Sequence, residues 1–195
     1  MTTSARTLEE QREEFTQRRL IATPLAGLCA WTIVAVGSLF LPPVAISLLL
    51  FGATGSIIYL ALFISRFTGE NFLAKDRPRN TFDALFFYTM AMAVLVYAIA
   101  IPFFLRDYTS LPLTVGILTG LMWLPTTWII GHWVGVAHAV GRTAAIVVAW
   151  YLFPEHRFTA VSLVIILAYV LTIPVLELRW RRLHTSVSAN PAGPT

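Results

Sequence analysis

Residues Leu111 to Phe153 read LPLTVGILTGLMWLPTTWIIGHWVGVAHAVGRTAAIVVAWYLF, and Arg142 is the only one of them that carries a charge when histidine is neutral. A transmembrane helix needs about 20 mostly apolar residues to cross a hydrocarbon core of about 30 Å. The stretch is therefore long enough for two transmembrane helices and a short turn. Gly131 and Gly135 mark the predicted position of that turn.

The composition of the whole chain indicates an integral membrane protein. Of the 195 residues, 57% are hydrophobic and 12% are charged, whereas about 25% are charged in a typical soluble domain. The sequence pI is about 9.6. The basic residues lie at the edges of apolar segments instead of forming one patch, so we expect no nucleic-acid partner. The single cysteine, Cys29, excludes an intrachain disulfide.

Apolar windows along the chain predict an all-α fold, a polytopic membrane bundle of about six transmembrane helices within residues 20–178. The predicted segments lie near Leu20–Leu41, Pro43–Ser65, Asp83–Leu105, Leu111–Gly131, Val136–Phe153 and Phe158–Leu178. Residues 1–19 are predicted to form a cytoplasmic amphipathic helix that begins with a capping box at Thr7 and Glu10. Residues 179–195 are predicted to be a cytoplasmic, largely disordered tail.

The distribution of basic residues predicts the orientation of these helices. Most of the 14 basic residues share one side of a six-helix topology: Arg6, Arg12, Arg18, Arg19, Arg66, Lys75, Arg77, Arg79, Arg179, Arg181 and Arg182. The opposite side has only Arg106 and Arg157. Because loops rich in lysine and arginine stay in the cytoplasm, we expect both termini to be cytoplasmic. The basic residues also predict binding to anionic lipid headgroups of the bilayer, and the sequence leaves a homo-oligomer open.

Polar residues are concentrated in the run WLPTTWIIGHWVGVAHAVGRT, residues 123–143. A single helix there would place both histidines of the run and Arg142 on one face. A break at the glycines would still leave His138 and Arg142 one helical turn apart. Either arrangement predicts one polar surface inside an apolar segment.

Arg142 is the most informative residue of that surface. An unpaired guanidinium inside the bilayer costs at least about 2.5 kcal/mol, so we expect an anionic partner or a water-filled cavity. Asp83 begins the third predicted segment and Glu177 ends the sixth. Both carboxylates would lie on the cytoplasmic side, where we also place Arg142, so they are its predicted partners.

The predicted ligand-binding site faces the cytoplasm and consists of Trp123, Trp128, His132, His138, Arg142, Asp83 and Glu177. Such a site favours binding or transport of a small polar or anionic solute, or of protons. Two alternatives remain open. One is an intramembrane enzyme with a histidine as general base or metal ligand, and the other is a structural partner subunit whose polar residues fix helix packing. The sequence assigns no catalytic residue, no metal site and no cofactor.

The same run carries a wider pattern, namely a tryptophan-rich segment, His-Trp, a glycine, a second histidine, an arginine and a Trp-Tyr-Leu-Phe-Pro element. Its residues are Trp123, Trp128, His132, Trp133, Gly135, His138, Arg142, Thr143 and Trp150-Tyr151-Leu152-Phe153-Pro154. This pattern resembles a family of small bacterial integral membrane proteins of unknown function. The resemblance implies a compact helical protein of the bacterial cytoplasmic (inner) membrane and transfers no activity.

Overall fold

The structure is a computed structural model that describes residues 6–70, 72, 78 and 80–189, and within them the regular elements are all helical. The α-helices are α1 Leu8–Thr16, α2 Ala22–Gly37, α3 Pro43–Gly55, α4 Ile57–Phe67, α5 Thr81–Leu95, α6 Tyr97–Arg106, α7 Ser110–Gly120, α8 Trp123–Ile130, α9 Val134–Leu152 and α10 Arg157–Ala189. A short 3-10 turn, Pro154–His156, joins α9 to α10. The predicted all-α class is confirmed.

Several of these helices are long and apolar enough to cross a membrane, which suggests a membrane-embedded protein. Four segments qualify: Thr81–Arg106, Ser110–Ile130, Val134–Leu152 and Pro154–Thr185. The pair α3 and α4, bent by 46°, adds a fifth if it is counted as one span. The 16 residues of α2 are shorter than a typical span. The predicted count of six is therefore not confirmed.

The turn predicted at the glycines is confirmed at Gly131. There α8 ends and the backbone adopts a left-handed conformation, with φ of 60°, which glycine adopts without a steric penalty. The next helix, α9, begins at Val134, so the run is two helices and the single-helix alternative is wrong. Gly135 then packs directly against α8, because a Cβ atom built on it would lie 2.5 Å from the carbonyl oxygen of Trp123.

The N-terminal helix α1 lies across one end of the bundle, where it contacts α5 and α8. Its predicted capping box is present, since the Glu10 amide donates to the Thr7 hydroxyl and the Thr7 amide donates to the Glu10 carboxylate. Phe15 is buried, with its ring close to those of Phe82 and Phe86. We call this end, which also contains Asp83, Trp128 and Glu177, the α1 end.

Arginine side chains attach α1 to the helices beneath it. Arg12 donates to the carbonyl oxygens of Trp128 and Ile129, 2.7 and 3.1 Å away, at the end of α8. Arg179 of α10 donates to the Thr16 carbonyl over 2.6 Å. The last helix runs on to Ala189 and so includes part of the predicted tail. Residues 190–195 of that tail lie outside the described residues.

Glu70 connects the end of α4 to the start of α2. Its carboxylate accepts hydrogen bonds from the amides of Ile21 and Ala22, at 2.9 and 2.8 Å, and from the Thr68 hydroxyl at 3.0 Å. The side chain is buried, with 3% of its surface exposed. Burial raises the pKa of Glu70, and the hydrogen bonds and Arg19 only partly oppose this shift.

The raised pKa of Glu70 predicts a pH dependence of stability. As the pH rises above the ordinary value of 4.5, the unfolded chain loses this proton first, so the free energy of unfolding falls until the folded carboxyl has also ionised. Glu70→Gln keeps the acceptor oxygen and removes this titration. We expect the thermal unfolding midpoint of the native protein, measured relative to Glu70→Gln, to decrease from pH 4 towards neutral pH. A constant difference over this range would contradict the prediction.

Candidate functional site

Arg142 lies near the middle of α9 and is almost completely buried, with 2% of its surface exposed. Its Nη2 donates to Thr119 Oγ1 over 3.0 Å, and its Nη1 donates to the Tyr169 hydroxyl over 3.3 Å. The guanidinium carbon lies 6.0 Å from the ring centroid of Trp31 and 5.5 Å from that of Tyr169. Neither of these hydrogen-bond partners carries a negative charge.

His138 completes the surroundings of this guanidinium, with its Nε2 atom 3.4 Å from Nη1 of Arg142. Arginine can only donate, so this contact needs Nε2 as the acceptor and places the imidazole proton on Nδ1. Nδ1 lies 2.8 Å from the Thr172 hydroxyl oxygen. The imidazole also packs on Trp123, with ring centroids 4.4 Å apart, and on Tyr169 at 5.1 Å. His138 is therefore held as a neutral ring between aromatic neighbours.

We call this group the Arg142 cluster; its members come from α2, α7, α8, α9 and α10. They are Trp31, Thr119, Trp123, His138, Arg142, Tyr169 and Thr172. Two glycines make room for them. A Cβ atom on Gly120 would lie 3.3 Å from Cδ and Nε of Arg142, and one on Gly27 would overlap the Tyr169 ring. Larger residues at either position would displace the cluster.

The hydrogen-bonding capacity of the Arg142 side chain is not fully used. Its Nε atom is buried and has no hydrogen-bond partner among the described residues. A buried donor without an acceptor costs about 1 to 3 kcal/mol, and more when the group is charged. The cluster thus holds a cation in neutral surroundings, with one donor atom unsatisfied.

The predicted ion pair of Arg142 with Asp83 or Glu177 is wrong. Asp83 binds Arg18 through both carboxylate oxygens, one of them at 3.1 Å from Nη2. Glu177 accepts from Nε and Nη2 of Arg19, at 2.7 and 3.0 Å. Both carboxylates lie at the α1 end, next to arginines of the chain that leads from α1 into α2. Arg142 lies farther along α9, beyond their reach.

Two other predicted site residues also lie away from Arg142. Trp128 is 64% exposed at the α1 end, with Arg12 over its ring at 5.1 Å. His132 lies in the turn before α9, where its Nδ1 accepts from the Val134 amide over 3.3 Å. Burial, together with the charges of Arg179 and Arg182, lowers the pKa of His132. Of the seven predicted residues, the structure brings together Trp123, His138 and Arg142.

Two of the cavities among the described residues that border the Arg142 cluster are an inner cavity and an outer groove. The inner cavity, of about 50 Å³, lies among α2 to α8 and α10, and five of its lining residues carry a hydroxyl group: Thr23, Thr54, Tyr97, Thr119 and Tyr169. The outer groove, of about 530 Å³, lies between α9 and α10. Its polar lining residues are His138, Arg142 and Thr172, and the rest are apolar or small: Trp133, Val134, Ala137, Gly141, Ala145, Val164, Leu167, Ala168, Leu171 and Val175.

A family model described as a family of unknown function (DUF7010) matches residues 8–179 of the chain. The chain belongs to this family. The match includes every residue of the Arg142 cluster, and the predicted membership of a family without an assigned function is confirmed. No curated protein and no solved structure matches the chain.

Four members of the cluster in this DUF7010 chain were missed by sequence reasoning: Trp31, Thr119, Tyr169 and Thr172. Tyr169 and Thr172 lie three residues apart in an otherwise apolar segment, so they share a helix face. That spacing is a signal that could have been found. Nothing in the sequence singles out Thr119 apart from its neighbour Gly120. Threonines are common in apolar helices, where the hydroxyl donates to a carbonyl of the preceding turn.

The described part of the chain contains no group of three histidine, cysteine, aspartate or glutamate side chains that could hold a metal ion. His138, the histidine of the cluster, has Thr172, Arg142 and the backbone of Ala168 as its hydrogen-bond partners. We therefore propose neither a metal site nor a metal-dependent reaction for this cluster.

Proposed function

We propose that the protein binds an anionic group inside the membrane, beside Arg142. The observation that supports this is the burial of Arg142 together with the neutral character of the groups it contacts. A guanidinium keeps its proton in proteins, and a desolvated cation without a counter-charge is costly. A bound anion would supply the missing charge and the missing acceptor.

The hydrogen-bond directions around Arg142 also favour an anion. Thr119 donates to the Val115 carbonyl over 2.6 Å, so its oxygen is left to accept from Arg142. Tyr169 likewise accepts from Arg142, and the described residues provide no acceptor for its own hydroxyl hydrogen. A hydroxyl that accepts from a cation becomes a better donor, because hydrogen bonds in a chain polarise one another. An anion beside Tyr169 would use that donor.

The experiment is a thermal unfolding series of the purified protein in a neutral detergent at constant ionic strength. Chloride, nitrate, butyrate and dodecanoate, the last below its micelle concentration, are compared as sodium salts. A ligand that binds only the folded state raises its stability by RT ln(1 + [L]/Kd). We expect at least one of these anions to raise the midpoint of the native protein but not that of Arg142→Gln.

The matched control is Arg157→Gln, at the opposite end of the bundle. Arg157 lies over the Trp150 ring at 3.7 Å and donates to the Thr109 hydroxyl over 2.7 Å. Its substitution should leave the response to anions intact. The proposal is overturned if no anion acts on the native protein, or if Arg142→Gln responds as the native protein does.

The proposed orientation places the α1 end in the cytoplasm of a bacterium, with both termini on that side. It is supported by the positions of the basic residues and by the contacts that hold α1 and the residues after it to the C-terminal half of α10, from Arg19 to Glu177 and from Arg179 to the Thr16 carbonyl. The anion would then reach Arg142 about halfway along α9. Transport of that anion, as opposed to binding alone, would need a second open state of the bundle.

A further inference from the structure

The outer groove between α9 and α10 is larger than the inner cavity and, unlike it, is lined by Arg142. Its volume of about 530 Å³ falls in the range of about 300 to 1,000 Å³ that is typical of ligand pockets. The inner cavity measures only about 50 Å³ and is lined by Thr119 and Tyr169 but not by Arg142 itself. The groove is lined directly by Arg142 and His138.

The walls of the groove are apolar and extend to the surface of the bundle. Trp133 at one end and Leu167 and Leu171 along the side are all more than half exposed. Surfaces of this kind face lipid chains in a membrane-embedded protein, so the groove opens towards the hydrocarbon and not towards water. Its polar part is confined to His138, Arg142 and Thr172, all of them buried.

A stripe of small residues shapes the groove on α9. Ala137, Gly141 and Ala145 are spaced four residues apart, on one helix face, and all line it. A Cβ atom built on Gly141 would have no other atom within 4 Å. The space beside Gly141 is therefore open, and the next residue, Arg142, also lines the groove.

From this combination we infer that the groove binds a long-chain carboxylic acid taken from the bilayer, with its chain along the apolar walls and its carboxylate at Arg142. This inference rests on the proposed function and names its ligand class. A carboxylic acid enters hydrocarbon in its neutral form. Beside a guanidinium the ionised form is favoured, so binding leaves a carboxylate at Arg142 and releases one proton to water. A carboxylate also matches the donor geometry of a guanidinium.

The experiment measures binding to the full chain in nanodiscs of phosphatidylcholine, which has no net charge. Dodecanoate, butyrate and dodecanol are titrated calorimetrically, with partition into empty nanodiscs subtracted. Dodecanoate has the chain and the charge, butyrate has the charge with a short chain, and dodecanol has the chain without the charge. We expect saturable binding of dodecanoate at one molecule per chain, at least tenfold tighter than that of the other two.

Gly141→Leu tests the groove without changing Arg142, because its side chain would occupy the open space. Gly52→Leu is the matched control, since Gly52 is also helical and exposed and a Cβ atom there also meets nothing within 4 Å, but it does not line the groove. We expect Gly141→Leu to weaken dodecanoate binding at least tenfold and Gly52→Leu to leave it unchanged. Equal binding by both variants would overturn the inference.

The remaining outcomes separate this inference from the proposed function. If butyrate binds as tightly as dodecanoate and Arg142→Gln abolishes both, the anion site stands and the long-chain ligand is wrong. If no acid binds but chloride or nitrate still stabilises the native protein, the same conclusion follows. If Gly141→Leu instead dissociates an oligomer, seen by light scattering, and leaves dodecanoate binding intact, the groove is an interface between two copies and the inference fails.

Discussion

Replacement of Arg142 by methionine is expected to raise the thermal unfolding midpoint of the protein and to abolish its response to anions. Burial of an ion costs several kcal/mol even after relaxation, and no described carboxylate offsets this cost at Arg142. Methionine has a long, flexible and uncharged side chain that can occupy much of the same space. The substitution loses three hydrogen bonds, to Thr119, His138 and Tyr169, and it also removes the buried Nε donor that has no acceptor among the described residues. We expect a net gain on the order of 1 to 2 kcal/mol.

The control for this prediction is Arg157→Met, at the other end of the bundle. Arg157 is partly exposed and stacks on Trp150, so its loss should lower stability by about 0.5 to 1 kcal/mol. Thermal unfolding in the absence of added anions measures both variants. A midpoint for Arg142→Met below that of Arg157→Met would show that Arg142 is stabilised where it lies, and would contradict the prediction. An arginine paired with Asp83 or Glu177 would have given that result, since its removal would strand a buried carboxylate.

Arg142 illustrates what the free-energy cost of a charge in an apolar segment predicts from the sequence and what it does not predict. The presence of one charge in an apolar stretch predicts that the residue lies in special surroundings, and the structure places it in a buried cluster with Trp123 and His138. The charge also predicts an anionic partner or a water-filled cavity, with Asp83 and Glu177 as the partners. The pairing with these two acids is wrong because the chain before α2 supplies Arg18 and Arg19 to them. Sequence position gives the depth of a residue along a helix, but not the neighbours around it.

The helices were predictable to different degrees. The left-handed turn at Gly131 and the capping box at Thr7 follow from local chemistry, in which a few neighbouring residues decide the backbone conformation. The number of spans depends on where each helix ends within an apolar window. Hydropathy does not report these ends, because apolar residues such as Leu39 and Leu41 continue past the last turn of α2. The mean hydropathy of a window likewise gives no indication of the bend between α3 and α4.

The glycines around the Arg142 cluster show a further limit of prediction from the sequence. Gly120 and Gly135 are needed because other atoms come close to them, whereas Gly141 lies beside open space. All three occur in similar apolar surroundings in the sequence. Only the packing of α7, α8 and α9 distinguishes a glycine that admits a neighbouring helix from one that borders a groove.

Gly135→Ala is expected to destabilise the protein by on the order of 3 kcal/mol, the upper end of typical overpacking effects. The added methyl group would meet the Trp123 carbonyl oxygen at 2.5 Å and the Thr127 amide nitrogen at 3.1 Å. Both are backbone atoms of α8, so they can move away only if the two helices separate. Separation would also pull Trp123 away from the imidazole of His138, and we expect a weakened response to anions as well.

The comparison that isolates this contact is Gly141→Ala on the same helix. Alanine there meets no atom within 4 Å and replaces a residue that is about 0.5 to 1 kcal/mol worse than alanine in a helix interior. The two substitutions are chemically identical, so helix propensity favours both, and only the approach of α8 distinguishes them. We expect the unfolding midpoint to fall for Gly135→Ala and to stay unchanged or rise for Gly141→Ala. Equal midpoints for the two variants would mean that α8 and α9 do not touch at Gly135, and the Arg142 cluster would lose the contact that fixes Trp123 against His138.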